Sequence, residues 1–320
     1  MSEARYLFPS DYMADPAPHV FGGKLYIYPS HDRESGIPER DNGDHFDMVD
    51  YHVLRMDSMS QETAADCGLA LRISDIPWAK RQLWDSDVAE KNGKYYLYFS
   101  AKDKDDVFRL GVAVSDKPEG PFIPDPEPIP GSYSIDPCAF KDDDGSVYIA
   151  FGGLWGGQLQ RYRDNVAVYR AAEDSLPVNN RAALEPLASE PALCPKIVRL
   201  DASMHTFAES PRDLVILDEN GKALLAGDHD RRFFEASWIH KCDGIYHFTW
   251  STGDTHYICE ATSDNIYGPY TYRRRLLEPQ VGWTTHHGIC EFEGKWWLFH
   301  HDSAPSGGRT WLRSLKVKPL

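Results

Sequence analysis

The chain has no apolar run of about 18 residues that could cross a bilayer as a helix. Its first segment, "MSEARYLFPSDYMADPAPHV", lacks the apolar stretch of a secretory leader. A soluble protein of the cytoplasm is therefore expected. An extended run of Lys or Arg is missing as well: 34 basic residues face 49 acidic ones, for a net charge of −15. That balance disfavours nucleic acid and anionic membranes as partners and suits a neutral substrate. No C-x-x-C occurs among the six cysteines (Cys67, Cys138, Cys194, Cys242, Cys259 and Cys290), which argues against a zinc site and a disulfide scaffold. Reduced, mostly buried thiols are expected. H-E-x-x-H and G-x-S-x-G are absent, so zinc-peptidase and serine-hydrolase chemistry lose support.

Long segments of helical period are scarce too, whereas short aromatic or β-branched runs behind glycine turns recur throughout the 320 residues. Hydrophobic residues at 42% and aromatics at 12% suffice for a large core. Aligned on their hairpin glycines, five units stand out: "DPAPHVFGGKLYIYPS" (15–30), "DSDVAEKNGKYYLYFS" (85–100), "DPCAFKDDDGSVYIAF" (136–151), "EASWIHKCDGIYHFTWS" (235–251) and "HHGICEFEGKWWLFHHD" (286–302). Repeated all-β modules of about 50 residues point to a propeller, so the expected fold is an all-β, five-bladed β-propeller. One catalytic domain over 1–320 is expected, with no C-terminal accessory module.

Each unit opens on an acid or a histidine at the same module position: Asp15, Asp85, Asp136, Glu235 and His286. A β-sandwich gives no reason for this, whereas inner propeller strands converge on one axis and would gather the five into one polar ring. Two carboxyls flanking a glycosidic bond suffice for hydrolysis, and a third can tune the acid. Asp15 and Asp136 each precede proline, which predicts extended backbone. Glu235 lies between Phe234 and Trp238, an apolar setting that would raise its pKa and keep a proton for a departing sugar oxygen, so it is the expected general acid. Trp84, Trp155 and Phe234 are candidate aromatic platforms for sugar C–H faces.

The "DP" of unit one, the "IDP" of unit three, "FFEASWIHKCDGIYHFTWS" and "HHGICEFEGKWWLFHHD" together resemble glycoside hydrolase family 43 over almost the whole chain. The resemblance implies an inverting, five-bladed hydrolase of β-xylosides, α-L-arabinofuranosides or arabinans. It implies that Asp15 is the general base, that Asp136 orients and tunes the acid, and that Glu235 is the proton donor. Inversion predicts a base-to-acid separation of roughly 6.5–9.5 Å. His286 resembles a histidine beside an axial divalent ion, so Ca2+ held by His286 and waters is expected. Arg313 resembles a late arginine that bonds a sugar hydroxyl or an acid, with Arg309 as its rival. Asp85 departs from the small residue commoner in the family at its place and is read as a contact to substrate or to metal-bound water, or as a blade-end hydrogen bond.

The insertion at 31–60 is expected to form a rim loop before the strand "DYHVLRM". Either this loop or a neighbouring subunit of a homo-oligomer would wall the pocket. His300, His301 and Asp302 read as strand end and rim, without metal. The expected activity is exo-β-1,4-xylosidase on xylo-oligosaccharides; the alternatives are α-L-arabinofuranosidase, alone or together with xylosidase, then endo-arabinanase, and a non-catalytic carbohydrate-binding propeller.

Overall fold

The computed structural model describes residues 4–40, 42–168 and 184–320, which form five sheets arranged as propeller blades, antiparallel except where Ile216–Leu217 runs parallel to Tyr270–Leu277, and a small two-stranded sheet, Tyr162–Arg163 with Val166–Ala167. Each repeated unit is the inner hairpin of one blade. Met13–Phe21 pairs with Lys24–His31, Ser86–Lys91 with Lys94–Asp103, Cys138–Lys141 with Val147–Phe151, Glu235–Cys242 with Ile245–Ser251, and His287–Phe292 with Lys295–Asp302. Four of the turns consist of two residues at positive φ: Gly22–Gly23, Asn92–Gly93, Asp243–Gly244 and Glu293–Gly294. That backbone twists with the strands it joins, and only glycine adopts it freely, which is why a glycine closes each repeat.

Further strands complete the blades outward, among them Asp50–Met56 and Ala65–Arg72 in the first and Ile258–Ser263 and Tyr270–Leu277 in the fourth. The ring is closed by Arg5–Tyr6, which pairs antiparallel with Ser314–Pro319 of the fifth blade. The Arg5 guanidinium also donates to the carbonyls of Met59, Gln61 and Glu62 in the first blade, tying the chain ends together. Alternation along the strands sends Tyr28, Tyr98, Phe99, Phe151, Phe248 and Trp250 between the blades, where each is fully buried. Each such side chain contributes about 1.5–3 kcal/mol of hydrophobic stabilisation.

Two expectations need correction. Only Cys138 and Cys259 are fully buried; the other four cysteines are half-buried, and all six are free thiols. The Asp-Pro residues are not extended: Asp15 has φ 46° and Asp136 φ 57°, both left-handed. Two of the inner strands are bulged at their leading ends, with register shifts between Ala14 and Ala17 and between Glu235 and Trp238, while Asp136 lies just before its strand. A bulge turns the chain sharply, and aspartate is among the few side chains that tolerate the left-handed backbone this requires. Ala236, after Glu235, is left-handed too, at φ 63°.

Candidate active site

All five lead residues line one cavity of about 350 Å³ at the end of the propeller axis. Trp84, Trp155, Phe234 and Arg313 line it as well. The rim expectation holds for part of the first insertion, since Glu39, Arg40, His45, Phe46 and Met48 supply one wall from within the chain. Asp50–Met56 then forms the strand expected behind that loop.

Asp15 sits at the positive side of the cavity. Its Oδ1 accepts from Arg313 Nη1 at 2.7 Å, and its backbone N–H donates to His301 Nδ1 at 3.1 Å. Burial alone would raise its pKa, but the Arg313 charge, supported by His286, overrides that and holds the carboxyl well below the usual range. Arg313 is fixed by Asp32, which takes Nε at 2.8 Å and Nη2 at 2.7 Å in a two-pronged bond and the Arg313 backbone N–H at 2.8 Å. Arg309, by contrast, is exposed and pairs with Glu34 at 3.5 Å. His301 is neutral: burial pushes it down to about 3, helped by the Arg313 charge. Its Nε2 lies 3.1 Å from both the carbonyl and the hydroxyl of Thr284, which fixes the ring beneath Asp15.

Glu235 faces the same cavity from an apolar wall. Phe234 meets Trp155 edge-on at 5.0 Å and Trp283 at 5.7 Å, and Ile135 and Leu154 complete the surround. Trp238 is not part of it; its ring packs against His19, and its Nε1 donates to the Ile289 carbonyl at 3.0 Å. Gly153 permits this packing, since a Cβ there would stand 2.5 Å from Ile135 Cδ1 and 3.5 Å from Glu235 Cβ. A Cβ on Gly253 would likewise lie 2.1 Å from the Phe234 ring. The Glu235 carboxyl keeps some contact with water through the cavity mouth. Burial and the neighbouring Asp136 charge together push it up to about 8.

Asp136 is tied to the same strand, because its Oδ2 accepts the backbone N–H of Ala236 at 2.8 Å. Burial and the Asp85 charge raise it as well. Two adjacent buried carboxyls share protons instead of ionising together. Asp136 has the hydrogen-bond donor and Glu235 the apolar wall, so the negative charge rests on Asp136 and the proton on Glu235. His286 Nε2 lies 3.3 Å from Asp85 Oδ1 and 3.9 Å from Asp136 Oδ2, while its Nδ1 accepts the His287 backbone N–H at 2.9 Å. Burial lowers the basicity of His286 and Asp85 with the other acids raises it, whereas the bond that Nδ1 accepts from the His287 N–H requires the neutral ring.

Asp32, Trp283 and Thr284 belong to the site and were not singled out by the sequence, and His301, read there as strand end and rim, belongs to it as well. Asp32 was assigned to the rim and is instead buried. His300, His301 and Asp302 are buried strand residues, not rim, and Asp302 bonds Tyr6 Oη at 2.9 Å and Lys316 Nζ at 2.8 Å. The rim assignment failed because Arg5–Tyr6 and Ser314–Pro319 cover that strand from outside. A tryptophan three residues before the fifth lead residue was the available sign of Trp283.

An ionised carboxyl and a protonated one facing a common cavity of sugar size, on a five-bladed propeller, define a glycoside hydrolase. Residues 67–320 match the sequence model of glycosyl hydrolases family 43, and the chain belongs to that family. A xylosidase/arabinosidase of Bacteroides ovatus is 61% identical over 319 residues, 100% of this chain and 94% of the relative. The structure of a β-xylosidase named RS223 superposes with a TM-score of 0.94 at 65% identity, covering 100% of this chain and 95% of that one. CoXyl43, a β-xylosidase/α-arabinofuranosidase from a compost metagenome, solved with xylotriose in a calcium-free form, gives a TM-score of 0.94 at 56% identity over 100% and 94% of the two chains.

Proposed function

We propose that the protein is an exo-acting, inverting β-1,4-xylosidase that releases xylose from xylo-oligosaccharides, with α-L-arabinofuranosidase activity in the same pocket. The observation that carries this reading is the opposed electrostatics of Asp15 and Glu235 around one small cavity. About 350 Å³ lies near the lower end of the range for ligand sites, about 300–1,000 Å³, and suits a short sugar better than a polymer chain. The relatives named above act on xylosides and arabinosides, which supports the same substrate class here.

In this reading the Asp15 carboxylate removes a proton from water as that water attacks the anomeric carbon. Glu235 gives its proton to the departing oxygen as the glycosidic C–O bond breaks. Asp136, kept charged by the Ala236 N–H, orients Glu235 and holds its pKa up. Arg313 keeps Asp15 ionised, and Trp155, Trp283 and Trp84 offer faces to the sugar, while Phe234, fully buried, backs Trp155 and Trp283.

His286 Nε2 and Asp85 Oδ1 are both buried without a well-aligned hydrogen bond, and with Asp136 they offer three ligand atoms within 4.8 Å of one another. This donor set fits a divalent cation, calcium being the first candidate because two of the three donors are carboxylates. His286, Asp85 and Asp136 would hold it, and it would supply positive charge beside the acids. The expected outcome for His286→Ala is lower turnover and loss of any response to added calcium or chelator; an unchanged response would place the cation elsewhere.

The test of the main reading is proton NMR of xylobiose hydrolysis. Xylose alone should form, and the α-anomer should appear at the newly cut end before mutarotation. First appearance of the β-anomer would exclude inversion, and a first cut of xylotetraose that yields xylobiose without xylose would exclude the exo assignment. Arabinofuranoside turnover well above xyloside turnover would make arabinofuranosidase the principal activity.

A further inference from the structure

Away from the cavity, the first blade carries a second group of imidazoles and carboxylates. His31, Asp50 and His52 each offer one ligand atom, all within 4.8 Å of one another, and none of the three lines the cavity. His31 ends the strand Lys24–His31, while Asp50 and His52 are two apart on the adjacent strand Asp50–Met56. All three are half-buried, open enough for an ion to enter and for water to complete its shell.

The surroundings resemble the outer shell of a metal site. His31 Nδ1 faces Asp50 Oδ1 at 2.6 Å, while its Nε2 is held by Asp11 Oδ2 at 3.3 Å. His52 Nδ1 is held by Asp66 at 2.9 Å, which leaves Nε2 as the ligand atom it can offer. The two rings meet edge-to-face with centroids 4.9 Å apart. Metal-bound histidines usually have the second nitrogen fixed in this way by a carboxylate outside the ligand set. Among the described residues, the ion pairs of Asp11, Asp50 and Asp66 are all with these two histidines and none is with Lys or Arg. Arg72 acts on Asp50 only through space. Three carboxylates thus converge on two imidazoles, an excess of negative charge that a divalent cation would neutralise. The trio His240, His247 and Glu260, of which His247 is half-buried, differs, because Glu260 is already neutralised by Arg274 at 2.7 Å.

We propose that His31, Asp50 and His52 form a binding site for a first-row transition cation of the zinc class, with Asp11 and Asp66 orienting the imidazoles. Two nitrogens and one carboxylate select zinc, cobalt or nickel over calcium, which prefers oxygen donors. The site is separate from the His286 cluster and does not depend on the reading of the cavity.

Metal-stripped protein is titrated with Zn2+ by calorimetry and with Co2+ by visible absorption. The wild type and His286→Ala should bind one Zn2+ at this site with similar affinity. His52→Ala should lose that binding while keeping xyloside turnover as its control for folding, and Asp66→Asn should bind about 10–100-fold more weakly. Excess calcium should leave the cobalt spectrum unchanged. Unchanged zinc affinity in His52→Ala, disappearance of all zinc binding with His286→Ala, or displacement of cobalt by calcium would each overturn the site. Should His52→Ala fail to fold, Asp66→Asn decides, and an unaltered affinity there rejects the proposal.

Discussion

Asp15 and Glu235 occupy equivalent positions in two blades, both lie deep in the protein, and both face one cavity, yet their protons behave oppositely. The difference comes from their second neighbours. Asp15 is backed by a guanidinium that Asp32 grips at two nitrogens, so the cost of burying its charge is met by a fixed opposite charge. Glu235 is backed by Phe234 and faces Asp136, so burial and like charge act in the same direction. A repeat places carboxyls in a ring, and what makes one of them an acid and another a base is the non-repeating residue behind each.

Removing the proton donor tests this comparison most severely. Glu235→Gln should lower turnover of xylobiose by about 10²–10⁴-fold, the usual contribution of a general acid. The loss should shrink for an aryl xyloside whose leaving group needs no proton. Equal losses on both substrates would mean that the carboxyl does something other than protonate.

The base side should yield less. Arg313→Lys keeps a positive charge but cannot bridge Asp15 and Asp32 together. A fall in kcat of about 10–100-fold is expected, equivalent to one charged hydrogen bond of ~1.5–3 kcal/mol. Because the cation that lowers Asp15 is weakened, its pKa should rise and the acidic limb of the kcat/KM profile should move to higher pH. A limb that stays in place would separate Arg313 from the ionisation of Asp15.

How much of this was legible in the sequence follows the range of the interactions. The hairpins were readable because a two-residue turn at positive φ needs glycine locally, and a spacing of eight or nine residues before that glycine revealed Asp15, Asp85, Asp136, Glu235 and His286. Arg313 was found only through resemblance. Asp32 was assigned to the wrong place because its partner is 281 residues away and meets it only when the blades close into a ring. Its one local mark is that hairpins one and five both run out in His-Asp, at His31–Asp32 and His301–Asp302. The left-handed Asp15 and Asp136 were missed for a related reason: the preference of a residue before proline is local and weak, and it is overridden by the bulge at Asp15 and, at Asp136, by the turn that leads into the strand Cys138–Lys141.

The acid side offers a finer test through Asp136. In the wild type the alkaline limb of the pH–rate profile should fall near the value of about 8 to which Glu235 is raised, as a property of the coupled pair. Asp136→Asn removes the like charge that helps hold Glu235 up, so the surviving activity should lose its alkaline limb at lower pH, by roughly one unit. An upward or absent shift would show that burial alone sets the Glu235 pKa.

The smallest expected effect is on stability, and its sign differs between the two carboxyls. From the ordinary glutamate pKa of about 4.3 up to about 8, the folded protein keeps a proton on Glu235 that the unfolded chain releases. The folded state then binds more protons than the unfolded one, so stability falls as pH rises through that window. Glu235→Gln removes this penalty and should raise Tm by about 1.5 °C near pH 8, the shift that ~1 kcal/mol produces in a chain of 320 residues. Below about pH 4 both forms of the wild type are protonated, and the gain should vanish. Asp15→Asn should do the reverse: a carboxylate held below its usual range stabilises the folded state at neutral pH, and removing it leaves Arg313 short of a partner, so Tm should fall. A gain for Glu235→Gln that persists in acid would trace to packing and not to ionisation, and the contrast between the two carboxyls would then rest on geometry alone.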